Sequence, residues 1–106
     1  MPKYLIEAAY TAEGLRGLHK DKASGRRAAV VKAVESLEGK VEGFYFSMGE
    51  SDVVCIVEVP DAVSVAALSL AASASGLVRV TTTALLSVEE IDRALDKKLA
   101  YRGPGA

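Results

Sequence analysis

Residues 40–59 constrain this chain more than any other stretch. Two strand-like segments, 40–48 and 53–59, are separated only by Gly49-Glu50-Ser51-Asp52. Turn-forming residues between two β-rich runs define a hairpin, so these strands are antiparallel neighbours. The second run, Val53-Val54-Cys55-Ile56-Val57-Glu58-Val59, is strongly β-branched. Everything else in the chain has to be arranged around this pair.

Upstream, residues 4–10 read as a strand, followed by helix-starting residues at 11–13. Leu15 and Leu18 mark a first short helical piece, loosened by Gly14, Gly17 and Gly25, each costing roughly 1 kcal/mol against alanine inside a helix. After Ser24 the helical period is firm. Val30, Ala33, Val34 and Leu37 lie opposite Arg26, Arg27, Lys32, Glu35 and Glu38, with Gly39 expected to end the helix. Beyond the hairpin, Pro60-Asp61 closes the strand and caps a helix over 62–75 that stops at Gly76. Residues 77–86 form a fourth strand. Ser87-Val88-Glu89-Glu90 has capping-box spacing and opens a last helix with Val88, Ile91, Leu95 and Leu99 on one side. The order predicts an α+β fold, βαββαβ plus a C-terminal helix. Its four-stranded antiparallel sheet carries two helices on one face, the ferredoxin-like arrangement. Residues 1–100 make one domain and 101–106 a flexible tail.

Composition narrows the function classes. Thirteen Lys and Arg against fourteen Asp and Glu give a net charge of −1. That leaves no basic excess for a phosphate backbone, so no nucleic-acid partner is expected. The longest uncharged run, residues 62–78, contains four serines and a glycine, too short and polar to enter a membrane as a span. Strand-like sequence starts at once, without a secretory signal, and Cys55 is the only cysteine. The expectation is a cytoplasmic protein with no disulfide, and no metal site, since one histidine and scattered carboxylates show no ligand spacing. No glycine loop follows a strand at phosphate-binding spacing, so no cofactor is expected either.

Alternation along each strand sorts side chains onto two faces. One set is Tyr4, Ile6, Ala8, Phe44, Phe46, Met48, Val54, Ile56, Val78, Val80 and Ala84, almost wholly apolar and expected beneath the helices. The other is Leu5, Glu7, Ala9, Gly43, Tyr45, Ser47, Val53, Cys55, Val57, Arg79, Thr81 and Thr83. This second face is half apolar, yet no helix remains to cover it except the last. Such a face marks an interface or a pocket. The expectation is a homodimer or larger assembly whose sheets face one another and enclose a cavity.

Glu7 and Arg79 stand out on that face. The first and fourth strands are neighbours in the expected order, which lets the two pair across strands. They are read either as a structural ion pair or as a general base with an anion-holding guanidinium. Tyr45, Ser47, Thr81 and Thr83 then supply neutral hydrogen bonds, although threonine is also simply a good strand residue. His19 becomes a second proton carrier if a break in the first helix brings it to the cavity mouth, and is otherwise a surface residue. Cys55 lines the face as a ligand contact, with burial its default on an apolar central strand. The helix over 62–75 carries no charge and is apolar most of the way round, which suggests burial on both sides.

The hairpin stretch, residues 41–61, resembles the centre of the GYD-domain proteins. Pro2-Lys3-Tyr4, Tyr10-Thr11 with Gly14 beyond, and Arg79-Val80-Thr81-Thr82-Thr83 resemble the same family's first and last strands. The likeness spans roughly residues 2 to 92. The naming motif, Gly, any residue, Tyr, Asp, reads Gly49-Glu50-Ser51-Asp52 here, with Ser51 in place of the tyrosine. The resemblance implies a ferredoxin-like fold of the dimeric α/β-barrel kind. That wider group includes cofactor-free monooxygenases, isomerases, decarboxylases and haem enzymes, so it implies no single reaction. Two functions follow. One is a homo-oligomer binding a small organic compound, with cofactor-independent proton-transfer or oxygenation chemistry if it is an enzyme. The other is a non-catalytic assembly or sensor subunit whose partner closes the sheet face.

Overall fold

The computed structural model describes residues 1–106. Seven elements follow in order: β1 (Lys3–Tyr10), α1 (Ala12–Ser36), β2 (Lys40–Phe46), β3 (Val53–Glu58), α2 (Ala62–Ala74), β4 (Val78–Leu85) and α3 (Val88–Leu95). The strands form one antiparallel sheet in the order β2-β3-β1-β4. This is the ferredoxin-like α+β fold expected from the sequence. No helix is long and apolar enough to cross a membrane.

Side-chain caps set the helix starts. Thr11 Oγ1 accepts from the Gly14 amide at 3.1 Å, and Asp61 Oδ1 accepts from the Ser64 amide at 2.9 Å. Those hydrogen bonds to Ser64 hold the Asp61 carboxyl below its usual pKa. Thr11 also fastens α1 to β4, its backbone amide donating to the Leu77 carbonyl at 2.9 Å. A glycine is needed at position 14 because a Cβ there would collide with that same carbonyl.

As the glycines suggested, α1 is two helices joined at a break. Lys22 takes φ 65° and ψ 167°, a conformation almost confined to glycine. The far end differs from expectation. Glu38, not Gly39, adopts the left-handed turn after the helix, at φ 61°. Gly39 is instead required because the Glu58 carbonyl and the Val59 side chain lie where its Cβ would be.

The core lies between the sheet and the two long helices. Tyr4, Ile6, Val34, Cys55, Val57, Val59 and Val65 form it, with Val41, Phe44, Leu68 and Val80 packed around them. Only nine of 106 residues are buried. The chain exposes 7603 Å² at a mass of 11.1 kDa, whereas a folded monomer of that mass exposes about 5,700 Å². The excess, about 1,900 Å², belongs to surfaces this chain does not cover for itself.

Register corrects one part of the strand sorting. Ile6 pairs with Cys55, Tyr4 with Val57 and Ala8 with Val53, so these β3 residues share the helix-covered face with β1's core side. Val54 and Ile56 point the other way. The facing of β3 is thus opposite to that expected, because a central strand apolar at five consecutive positions carries no alternation to read. Met48 is corrected too: it lies beyond β2 in the hairpin turn and is fully exposed. In β2 a bulge between Val41 and Gly43 lets both Val41 and Phe44 reach the core and swings Glu42 away.

Candidate open-face site

The uncovered face is organised in rungs that run straight across the four strands. Tyr45, Val54, Glu7 and Thr81 make one rung, from β2 to β4. Beside it, Gly43, Ile56, Leu5 and Thr83 make a largely apolar rung. On the other side Ala9 pairs with Arg79. Leu5, Val54, Ile56 and Glu7 are half-buried, while Tyr45, Arg79, Thr81 and Thr83 are exposed.

Past the apolar rung, the face ends in a charged cluster that satisfies itself. Lys3 Nζ lies 2.7 Å from Glu42 Oε1 and 3.8 Å from Glu58 Oε1, and Lys40 Nζ lies 3.4 Å from Glu58 Oε2. The hydrogen bond to Glu42 raises the Lys3 pKa above its ordinary value. The β2 bulge is what delivers Glu42 to this cluster. Sequence reading missed this cluster, because the bulge shifts the parity of Lys40 and Glu42 and the flat apolar run of β3 hides the facing of Glu58.

Glu7 and Arg79 do not pair. Glu7 stands opposite Thr81, which puts Arg79 on the diagonal, a separation of about 7–8 Å between backbones. All the ion pairs of the chain lie elsewhere, among Lys3, Lys40, Glu42 and Glu58 and between Arg26 and Asp21. One carboxylate and one guanidinium therefore share a half-apolar surface, neither of them neutralised by the other.

Three of the candidates lie away from this rung system. Cys55 belongs to the opposite face, 3% exposed beneath the helices, and burial pushes its thiol pKa up to about 11. That makes it an inert core thiol and not a ligand contact on the open face. His19 lies on the helix side, in a shallow groove with Leu15, Leu18, Lys22, Ala23 and Phe46. The break at Lys22 does not carry it to the open face. Ser47 is engaged in the hairpin turn, its hydroxyl accepting from the Gly49 amide at 3.2 Å. Glu7, Tyr45 and Thr81 are brought together on one rung, flanked by Thr83 and Arg79.

The hairpin itself is tied down by its last residue. Asp52 Oδ2 accepts from the Tyr10 amide at 2.8 Å, and the Asp52 amide donates to the Ala8 carbonyl at 2.8 Å. A carboxylate directly after the turn thus extends the β1–β3 pairing past its last rung. The model of the GYD domain matches residues 4–95. The chain belongs to the GYD-domain family. No curated protein and no solved structure matches it.

Within this GYD domain, the helix side also holds an apolar cleft of about 90 Å³ between α1 and α2, floored by Ile6, Cys55 and Val80, and a groove of about 280 Å³ lined by Tyr10, Gly14, Asp21, Arg26 and Leu77. Both fall below the 300–1,000 Å³ of an ordinary ligand pocket. No three His, Cys, Asp or Glu side chains converge to hold a metal ion. The open face is where charged and apolar groups meet without intrachain partners, and it is the candidate site.

Proposed function

We propose that this GYD-domain protein is a cytoplasmic homo-oligomer that binds a small organic molecule between two facing open sheets, as a dimeric α/β barrel. The observation that carries this reading is the rung Tyr45-Val54-Glu7-Thr81 with Arg79 beside it, a row of polar groups on an apolar floor that no element of the chain covers. Facing sheets pack about 10 Å apart, so a second copy covers the apolar rungs and leaves the polar row lining the space between. The surplus of about 1,900 Å² supports such a partner. A single cysteine without a disulfide partner suits a reducing compartment.

In this space Arg79 binds an anionic group of the ligand, while Tyr45, Thr81 and Thr83 donate and accept neutral hydrogen bonds. Glu7 is the only carboxylate of the row, and so its one candidate general base. If the ligand is turned over, the chemistry is proton transfer at Glu7 or cofactor-independent oxygenation of the bound compound.

Native mass spectrometry of the purified oligomer, with its small-molecule extract, tests the reading. The expected result is an organic acid retained by the oligomer and lost in Arg79→Gln, with the oligomer intact. An oligomer carrying no compound, with a crystal structure showing a dry and filled sheet interface, refutes it.

One observation favours a second reading, a non-catalytic assembly subunit. The outer side of α2 presents Val63 and Leu70, exposed at 78% and 70%, on a helix without a charged residue. On this reading Leu70→Lys lowers the oligomer size, and the wild-type oligomer carries no bound compound.

A further inference from the structure

α3 is a helix with nothing beneath it. Its start is well encoded: Ser87 Oγ accepts from the Glu90 amide at 3.0 Å, and Glu90 Oε1 accepts from the Ser87 amide at 2.8 Å. Eight residues are still too few for a helix to persist in water without tertiary packing. Yet its apolar stripe is bare, with Val88 75%, Ile91 43% and Leu95 77% exposed, continuing to Leu99 at 82%. No residue of α3 is buried. The chain is correspondingly elongated, 56 × 33 × 23 Å with a radius of gyration of 16.9 Å, against about 13 Å for a compact chain of this length.

The helix also departs on a particular side. A groove of about 830 Å³ separates its first turn, Ser87 and Glu90, from Lys3, Glu58 and Leu85. Lys3 pairs with both Glu58 and Leu85, and all three lie on the uncovered face. The arm therefore starts beside the face that lacks a cover, and none of its residues is buried there.

We propose that α3 is an exchanged arm: its apolar stripe packs over the open sheet of a second copy of this chain, whose own α3 returns the contact. This rests on the reading that open sheets face one another, and adds that each cavity is incomplete until the partner's arm closes its end. The occupant is a second copy because each chain presents one bare arm and one bare face, a one-to-one match that a two-fold axis closes. The areas agree. Leu86, Val88, Ile91, Leu95 and Leu99 offer roughly 100 Å² apiece, so two arms bury on the order of 1,000 Å², the threshold for a specific interface before any sheet contact is added.

Hydrogen exchange of the amides from Ile91 to Leu95, at protein concentrations bracketing assembly, tests this. In the assembled wild type these amides are protected about a hundredfold over an unstructured chain, and the protection disappears on dilution to monomer. Leu95→Lys abolishes arm protection and weakens assembly about tenfold or more, while β1 and β3 amides stay protected. Ile56→Lys, on the receiving face, removes both assembly and arm protection. An equimolar mixture of the two variants assembles more tightly than either alone, because one arm meets one intact face. An assembled wild type with unprotected arm amides overturns the arm and leaves the sheet contact standing. Arm protection independent of concentration also overturns it, since α3 would then pack on its own chain. A wild type monomeric at every concentration overturns both readings.

Discussion

Val57 and Val54 occupy the same strand three residues apart and face opposite sides of the sheet, which allows a controlled comparison. Val57 has no exposed surface and sits in the core with Tyr4, Cys55 and Val59. Val57→Ala deletes two methyl groups at about 0.8 kcal/mol each. A residual void of roughly 40 Å³, at about 24 cal/mol per Å³, adds ~1 kcal/mol. The expected loss is about 2.5 kcal/mol, or roughly 10–20 °C in Tm for a domain of this size. Val54→Ala deletes the same groups from the half-buried open face. In the isolated chain its cost is about 0.5 kcal/mol; the remainder appears only where a partner covers the face, and so depends on concentration. Urea denaturation followed by circular dichroism, at two protein concentrations a hundredfold apart, separates the two. Val57→Ala lowers stability equally at both, and Val54→Ala lowers it chiefly at the higher. If Val54→Ala costs as much as Val57→Ala at both concentrations, the two faces of β3 are not as different as the register requires, and the open-face site loses its floor.

Three further outcomes follow from single positions. Because burial raises the folded Cys55 pKa to about 11 from its ordinary value of 9.0, the folded state holds its proton where the unfolded state releases it. Stability is thus fully present below pH 9 and falls by about 1 kcal/mol per pH unit between pH 9 and 11; Cys55→Val flattens that part of the profile in guanidinium melts. Lys22, at φ 65° and ψ 167°, occupies a conformation costing about 1–3 kcal/mol for a residue with a side chain, so Lys22→Gly raises stability by about 1 kcal/mol after glycine's own entropy is counted, measurable as a higher Tm. Gly14→Ala drives a methyl into the Leu77 carbonyl where Thr11 joins α1 to β4, and lowers stability by about 2 kcal/mol; an unchanged Tm means that junction is looser than it looks.

How far the site was legible depends on which strand carries each residue. β4 alternates over Val78-Arg79-Val80-Thr81, and in β1 Glu7 is the one charge between Tyr4 and Tyr10, so Glu7, Arg79, Thr81 and Thr83 could be assigned to the open face from sequence alone, and their register keeps them there. β3 alternates between nothing and nothing, being apolar on both sides. Its facing is set only by its neighbours, through Phe46 opposite Val53 and Ile6 opposite Cys55. One misplaced parity moved Cys55 into the site and took Val54 and Ile56 out of it. The elements themselves were readable because each is locally encoded, by Thr11, Asp61 and the Ser87–Glu90 box at helix starts and by the four-residue turn of the hairpin.

His19 failed for a different reason, and it bears on mechanism. A helical residue's facing is fixed by every residue between it and the next anchor, so a single break changes the side it presents. The glycines of α1 announced a break but not its location at Lys22, nor that the first piece would hold His19 over Phe46 on the helix side. With His19 behind the sheet and Cys55 beneath it, Glu7 is left as the one carboxylate on the central rungs, and Arg79 as the one cation beside them. On the proposed reading, a second copy related by a two-fold axis duplicates both, so the space between the sheets gains two carboxylates, two guanidiniums and a set of hydroxyls with which to bind an anion and move a proton.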